Sequence, residues 1–173
     1  MKYENVKMVG DNDTVRYVLR KDGEKPLIVI GLNPSTANEA KADATMARVM
    51  GIAERNGFDS FIMLNLYPQR TTNPAGLDRE LNDGLHQENL RQIKEALKDI
   101  DKPTVLLAFG NNIGLRPYLR TCLRDIVTAI SDKSPRYVQV GTTKWGNPRH
   151  PLYAGYPELA DFDIDTYLTS IRS

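Results

Sequence analysis

Cysteine is nearly absent from this chain: Cys122 is the only one in 173 residues. One thiol cannot close an internal disulfide, build a cysteine-rich zinc site or hold an iron–sulfur cluster. No apolar run approaches the roughly 18 residues that a membrane helix needs, so no membrane partner is expected. The opening stretch, MKYENVKMVGDND, lacks the apolar core of a secretory leader, which gives a cytoplasmic expectation. Excess charge of either sign is missing as well. Lys and Arg number 23 against 22 Asp and Glu, a net charge of +1. That balance argues against attachment to nucleic acid through bulk charge, while leaving room for a local basic patch. There is no G-x-S-x-G, no P-loop and no G-x-G-x-x-G, so nothing supports a hydrolase elbow, an NTPase or a dinucleotide site. Repeats, low-complexity tracts and linkers are also missing. With 40% apolar residues, the chain reads as a single α/β domain over residues 1–173.

What is present is an alternation of buried strands and amphipathic helices. Residues 14–20, TVRYVLR, are loosely alternating and β-branched, and predict an antiparallel strand near an edge. Residues 27–30, LIVI, form a continuous apolar run, as expected of a strand covered on both faces. Similar runs occur at 61–66 (FIMLNL), 104–109 (TVLLAF) and 137–140 (YVQV). Between them, residues 44–56 carry Met46, Val49, Met50 and Ala53 at helical spacing, with Asp43 as N-cap and Gly57 just past the end. Residues 83–98 predict a second helix with Leu85, Leu90, Ile93 and Leu97 on its apolar face. Residues 111–130 predict a third helix interrupted near Pro117, and 163–171 a closing one. The expected architecture is a three-layer α/β sandwich with a mainly parallel central sheet of about four or five strands.

In such sheets ligands bind beyond the carboxyl ends of the strands. The residues directly after each apolar run therefore carry the functional information. They are Asn33 and Ser35 in GLNPSTAN; Asn65, Tyr67 and Arg70 in NLYPQRTT; Asn111 and Asn112 in GNN; and Lys144, Trp145, Arg149, His150 and Tyr153 in GTTKWGNPRHPLY. Amides both donate to and accept from a nucleobase edge. Tyr and Trp stack on bases, and Arg, Lys and backbone N–H groups hold phosphate. The set suits a nucleobase, a nucleotide or nucleic acid as partner.

Structural readings stand beside these. Asn33 and Ser35 also suit turns in which their side chains bond backbone. Asp43 reads first as a helix cap. Asn111 and Asn112 fit a helix start, Trp145 fits loop packing, and His86 is expected on a helix surface. Asn65, inside an apolar run, demands partners if buried, and His150 sits in a loop where a core role is unnatural.

The order GLNPSTAN, then Asp43, Ala44 and Thr45, then NLYP, then a strand ending in FG, then TKWGNPRHPLY resembles the domain of unknown function 1643 family, from about residue 10 to the C-terminus. That family implies no particular chemistry. More distantly, the layout is similar to the uracil-DNA glycosylase superfamily. Its G-x-[DN]-P motif matches Gly31, Leu32, Asn33 and Pro34; its strand-end asparagine matches Asn65; its strand ending in glycine matches residues 106–110; its His-Pro matches His150 and Pro151.

This second resemblance implies a uracil-DNA glycosylase-like fold. It implies that Asn33 orients water, Asn65 bonds the base edge and His150 stabilises the departing base, with Asp43 a secondary candidate for water activation. It implies no metal and no redox cofactor. The chain departs from the pattern in lacking an aromatic residue after Pro34 and a Ser-Pro run after His150. Leu152, which follows Pro151, reads as a packing residue or a base-stack wedge. The expected activity is N-glycosidic bond hydrolysis on a base in nucleic acid or a free nucleoside. The alternative is nucleotide or nucleic-acid binding without chemistry.

Overall fold

The computed structural model of the protein describes residues 1–171; residues 172 and 173 of the expected domain lie outside it. One seven-stranded sheet runs through the molecule. Its strands are β1 (Val6–Gly10), β2 (Arg16–Lys21), β3 (Pro26–Gly31), β4 (Ser60–Asn65), β5 (Thr104–Leu107), β6 (Arg136–Gln139) and β7 (Ala160–Asp161), in spatial order β1-β2-β4-β3-β5-β6-β7. The four central strands are mutually parallel, β4 with β3, β3 with β5 and β5 with β6. The outer pairings β1–β2, β2–β4 and β6–β7 are antiparallel. The sheet is thus mixed and larger than the four or five strands expected. The additions are edges. β1 is mostly exposed and β7 has only two residues, so neither carries the apolar run that marks a covered strand.

Helices α1 (Ala44–Arg55), α2 (Asp83–Leu97), α3 (Pro117–Ala129) and α4 (Ile164–Ser170) complete the layers. Alternation along β3 explains the sandwich. Leu27 and Val29 point to one face, where they meet Met46, Val49 and Ile52 of α1. Ile28 and Ile30 point to the other, where Ile93 and Leu97 of α2, Leu119 and Leu123 of α3 and Tyr167 of α4 lie. Each such side chain is worth about 1.5–3 kcal/mol when fully buried. Pro117 opens α3 at its first turn, after a 3-10 segment over Gly110–Leu115. None of the helices among the described residues is long and apolar enough to cross a membrane.

His86 departs from expectation. It is 1% exposed, and its Nε2 lies 2.7 Å from Asp125 Oδ2 on α3. The buried stripe of α2 is His86, Asn89, Ile93 and Leu97, with Leu85 and Leu90 flanking it. Helical spacing puts position 86 on the inner face whatever its polarity.

Candidate functional site

The carboxyl ends of β3, β4 and β5 and the loop after β6 open into a cleft of about 760 Å³. Its floor is the junction of β3 and β4, where Gly31 pairs with Asn65. Asn65 is 1% exposed, and among the described residues neither Oδ1 nor Nδ2 has a hydrogen-bond partner. Its main chain, by contrast, is fastened: its carbonyl accepts Asn89 Nδ2 at 3.0 Å. A Cβ on Gly31 would stand 2.9 Å from Asn65 Oδ1 and 2.8 Å from Met63 Cε. Glycine at the end of β3 is therefore a space requirement for the amide, not a demand of backbone angle.

Asn33 sits on the wall above. Its amide N–H groups donate to the carbonyls of Pro34 (3.0 Å), Thr71 (3.0 Å) and Gln69 (3.4 Å). These bonds fix the side-chain orientation and leave Oδ1 as an acceptor with no donor among the described residues. The turn at residues 31–35 is itself held by Leu66 N–H donating to Gly31 O and Tyr67 N–H to Leu32 O. Ser35 lines the same wall. Asp43 caps α1, accepting Met46 N–H on Oδ1 at 2.9 Å, and staples the loop by accepting Ala37 N–H on Oδ2 at 3.3 Å. Its carboxylate also lines the cleft.

Opposite stands the late loop. Gly110, at φ +62°, donates its N–H to Pro148 O and leaves room for His150, whose Cβ a Cβ here would meet at 3.3 Å and whose backbone N at 3.5 Å. Asn111 Oδ1 accepts Thr143 Oγ1 at 2.7 Å and Asn147 Nδ2 at 3.0 Å, tying the loops after β5 and β6 together. His150 is partly buried, and its Nδ1 accepts Leu152 N–H at 3.2 Å. In the neutral ring the proton is therefore on Nε2, which makes that atom a hydrogen-bond donor. Burial lowers the imidazole's pKa below its ordinary value, against the opposing charge of Asp43. Lys144 and Arg149 line the rim, and the Arg149 guanidinium donates to Thr142 O at 3.3 Å.

Three expected site residues lie elsewhere. Tyr67 is a core residue: its hydroxyl donates to Asp78 Oδ2 at 2.8 Å and its ring packs on Tyr118. Burial, reinforced by Asp78, pushes its pKa upward. Arg70 braces the first loop from behind, donating to Ser35 O at 2.5 Å, Ala37 O at 3.2 Å and Asp11 O at 2.7 Å. Trp145 is 68% exposed, sits under the Lys144 ammonium and is not among the cleft residues. Residues of one segment, Asn65 against Tyr67 and Arg70 or Lys144 against Trp145, differ in whether they line the cleft, which sequence order does not reveal.

Arg16, at the start of β2, is a charged cleft residue that sequence reasoning missed. It is 2% exposed, and its Nη1 donates to Ala37 O at 3.2 Å. Within TVRYVLR it reads as an ordinary strand residue; only the packing of β2 beside β4 turns it inward.

The fold and cleft together define an α/β protein with a polar pocket at the carboxyl ends of a parallel sheet. A family model described as "Protein of unknown function (DUF1643)" matches residues 16–152. The chain belongs to that family. No curated protein matches the chain, and no solved structure matches it.

Proposed function

We propose that the cleft reads a nucleobase and hydrolyses its N-glycosidic bond. The observation that carries this is the Asn65 amide, buried at the floor with both its donor and its acceptor unpartnered. A buried polar group left unmatched costs about 1–3 kcal/mol. A ligand edge offering an adjacent acceptor and donor satisfies both atoms at once, and a nucleobase is such an edge. The motif resemblance to the uracil-DNA glycosylase superfamily supports the same reading.

The chemistry follows from the remaining groups. As the C1′–N bond breaks, the electron pair goes to the base and the sugar becomes oxocarbenium-like. The His150 Nε2–H then serves as a neutral donor to the anionic base, an electrostatic contribution of ~3 kcal/mol in comparable sites. Asn33 Oδ1 accepts from a water and orients it toward C1′. The water oxygen bonds to C1′, its proton passes to solvent, and the base is protonated after release. The test is base release from uracil-, xanthine- and hypoxanthine-containing DNA, single- and double-stranded, and from free nucleosides. Release that disappears in Asn33→Ala and His150→Ala supports the proposal; release from no substrate overturns it.

One observation favours a second reading, binding without chemistry. Among the described residues Asp43 is the one carboxylate that lines the cleft, and both its oxygens accept backbone N–H groups. No free general base stands beside Asn33. A base or nucleotide that raises the unfolding temperature and is recovered unchanged would establish a binder.

A further inference from the structure

Arg16 carries a positive charge into the cleft wall with no direct ion pair among the described residues, the Asp43 carboxylate acting on it only from beyond 4.0 Å. Among the described residues the Arg16 Nη1 meets only a carbonyl and its Nε has no partner. Among the described residues no carboxylate lies within 4.0 Å of it. Arg70 stands beside it, with a guanidinium N–H on the same Ala37 carbonyl and no ion pair of its own. Burying one guanidinium is costly unless it is paired; placing a second next to it adds repulsion. Burial first, and Arg70 second, bring the Arg16 pKa down to about 10 against the opposing charge of Asp43, so it remains protonated at neutral pH.

The rest of the lining has the same sign. Arg16, Lys144 and Arg149 face the cleft, against Asp43 alone. That excess occurs in a chain whose net charge is only +1. The positive excess at this opening is therefore local and does not simply reflect the charge of the whole chain.

We propose that the cleft's ligand is phosphorylated, with a phosphate held by the Arg16 guanidinium while Asn65 reads the base. The planar guanidinium fork matches phosphate oxygens in a way that a point charge does not. The base end of this assignment rests on the function proposed above; the anion end rests on Arg16 and the lining charge alone. A phosphomonoester of a free nucleotide and a phosphodiester of a nucleic-acid strand present the same oxygens, and the test separates them.

The experiment is calorimetric titration of the full chain with uridine, inosine and xanthosine, with their 5′-monophosphates, with single-stranded oligonucleotides carrying the same bases, and with inorganic phosphate. The expected result is that a monophosphate or an oligonucleotide binds about tenfold or more tightly than its nucleoside. The advantage shrinks to less than about threefold in Arg16→Gln. Preference for the monophosphate marks a free nucleotide, and preference for the oligonucleotide marks a strand. Nucleosides that bind as tightly as their phosphorylated forms overturn the anion site and leave the base reading standing. Phosphate that binds with no discrimination among bases does the reverse. Silence from every probe overturns both. Should Arg16→Gln fail to fold through loss of its bond to Ala37, Arg16→Lys keeps the charge without the fork, and the wild-type ratio of nucleoside to nucleotide still decides.

Discussion

Asn65 ends a strand whose every residue is buried, so its amide reaches the cleft only because Gly31 opposite has no side chain. Gly31→Ala tests that relation. The added methyl would meet two side-chain ends, Met63 Cε and Asn65 Oδ1, rather than backbone, so the fold is expected to survive with a loss of about 1–3 kcal/mol. The displaced amide is expected to abolish the rise in unfolding temperature that a bound base gives the parent protein. Thermal unfolding with and without ligand reads both effects; an unchanged ligand response would remove Asn65 from the site.

His150 makes a prediction of its own. The chain has two histidines, so a proton NMR titration resolves two imidazoles, and the signal missing in His150→Gln identifies the cleft one. Its midpoint is expected below about 6.5, the ordinary value, because burial disfavours the charged ring. In the unfolded chain the same ring titrates near that ordinary value. Between the two values the unfolded chain binds the extra proton. Stability therefore falls as pH drops below about 6.5, and this contribution levels off once the folded imidazole also protonates. His150→Gln is expected to flatten that slope in a denaturant series run from pH 7 to pH 5. A midpoint at or above the ordinary value would contradict the burial that makes His150 a neutral donor.

Among the elements, α1 depends on Asp43. The carboxylate caps its first turn and holds Ala37, so one side chain couples the helix to the loop that forms the cleft wall. Asp43→Ala is expected to cost about 1 kcal/mol or somewhat more. Asp43→Asn, which retains a good cap, is expected to cost a few tenths. If the asparagine variant keeps stability and also keeps base release, the residue positions the loop and does not activate water.

The contact between α2 and α3 gives a second element-level comparison. His86 is buried with Nε2 on Asp125 and Nδ1 unpartnered. Removing the partner leaves a buried ring with neither nitrogen bonded, whereas replacing the ring with an apolar group leaves nothing unmatched. Asp125→Ala is therefore expected to destabilise by about 1 kcal/mol more than His86→Leu, as urea unfolding midpoints would show. The reverse order would mean that solvent at the half-exposed Asp125 already satisfies the ring.

At the scale of the whole molecule, the parts of the fold that are legible in the sequence are those covered on both faces. The runs at 27–30, 61–66 and 104–109 are continuous because their strands have helices above and below, and the crossover rule then makes them parallel. β1 and β7 are hidden because an edge strand needs few apolar residues. The candidate site was legible to the same degree and for the same reason. Parallel strands bring their carboxyl ends to one rim, so Asn33, Asn65, Asn111 and His150 meet although they are far apart along the chain. What escaped depends on side-chain direction. Tyr67 and Arg70 belong to the right loop but turn away from the cleft, and Arg16 enters from an antiparallel strand to which the carboxyl-end rule does not apply.

The most direct measurement is the side-chain amide region of the nitrogen–proton NMR spectrum as free uracil, hypoxanthine or xanthine is added. The Asn65 pair is identified by its disappearance in Asn65→Asp. Base recognition at the cleft floor predicts that this pair moves saturably with one of these bases, while the Asn33 pair, fastened to three carbonyls, moves little. An Asn65 pair that stays fixed through every titration would contradict it.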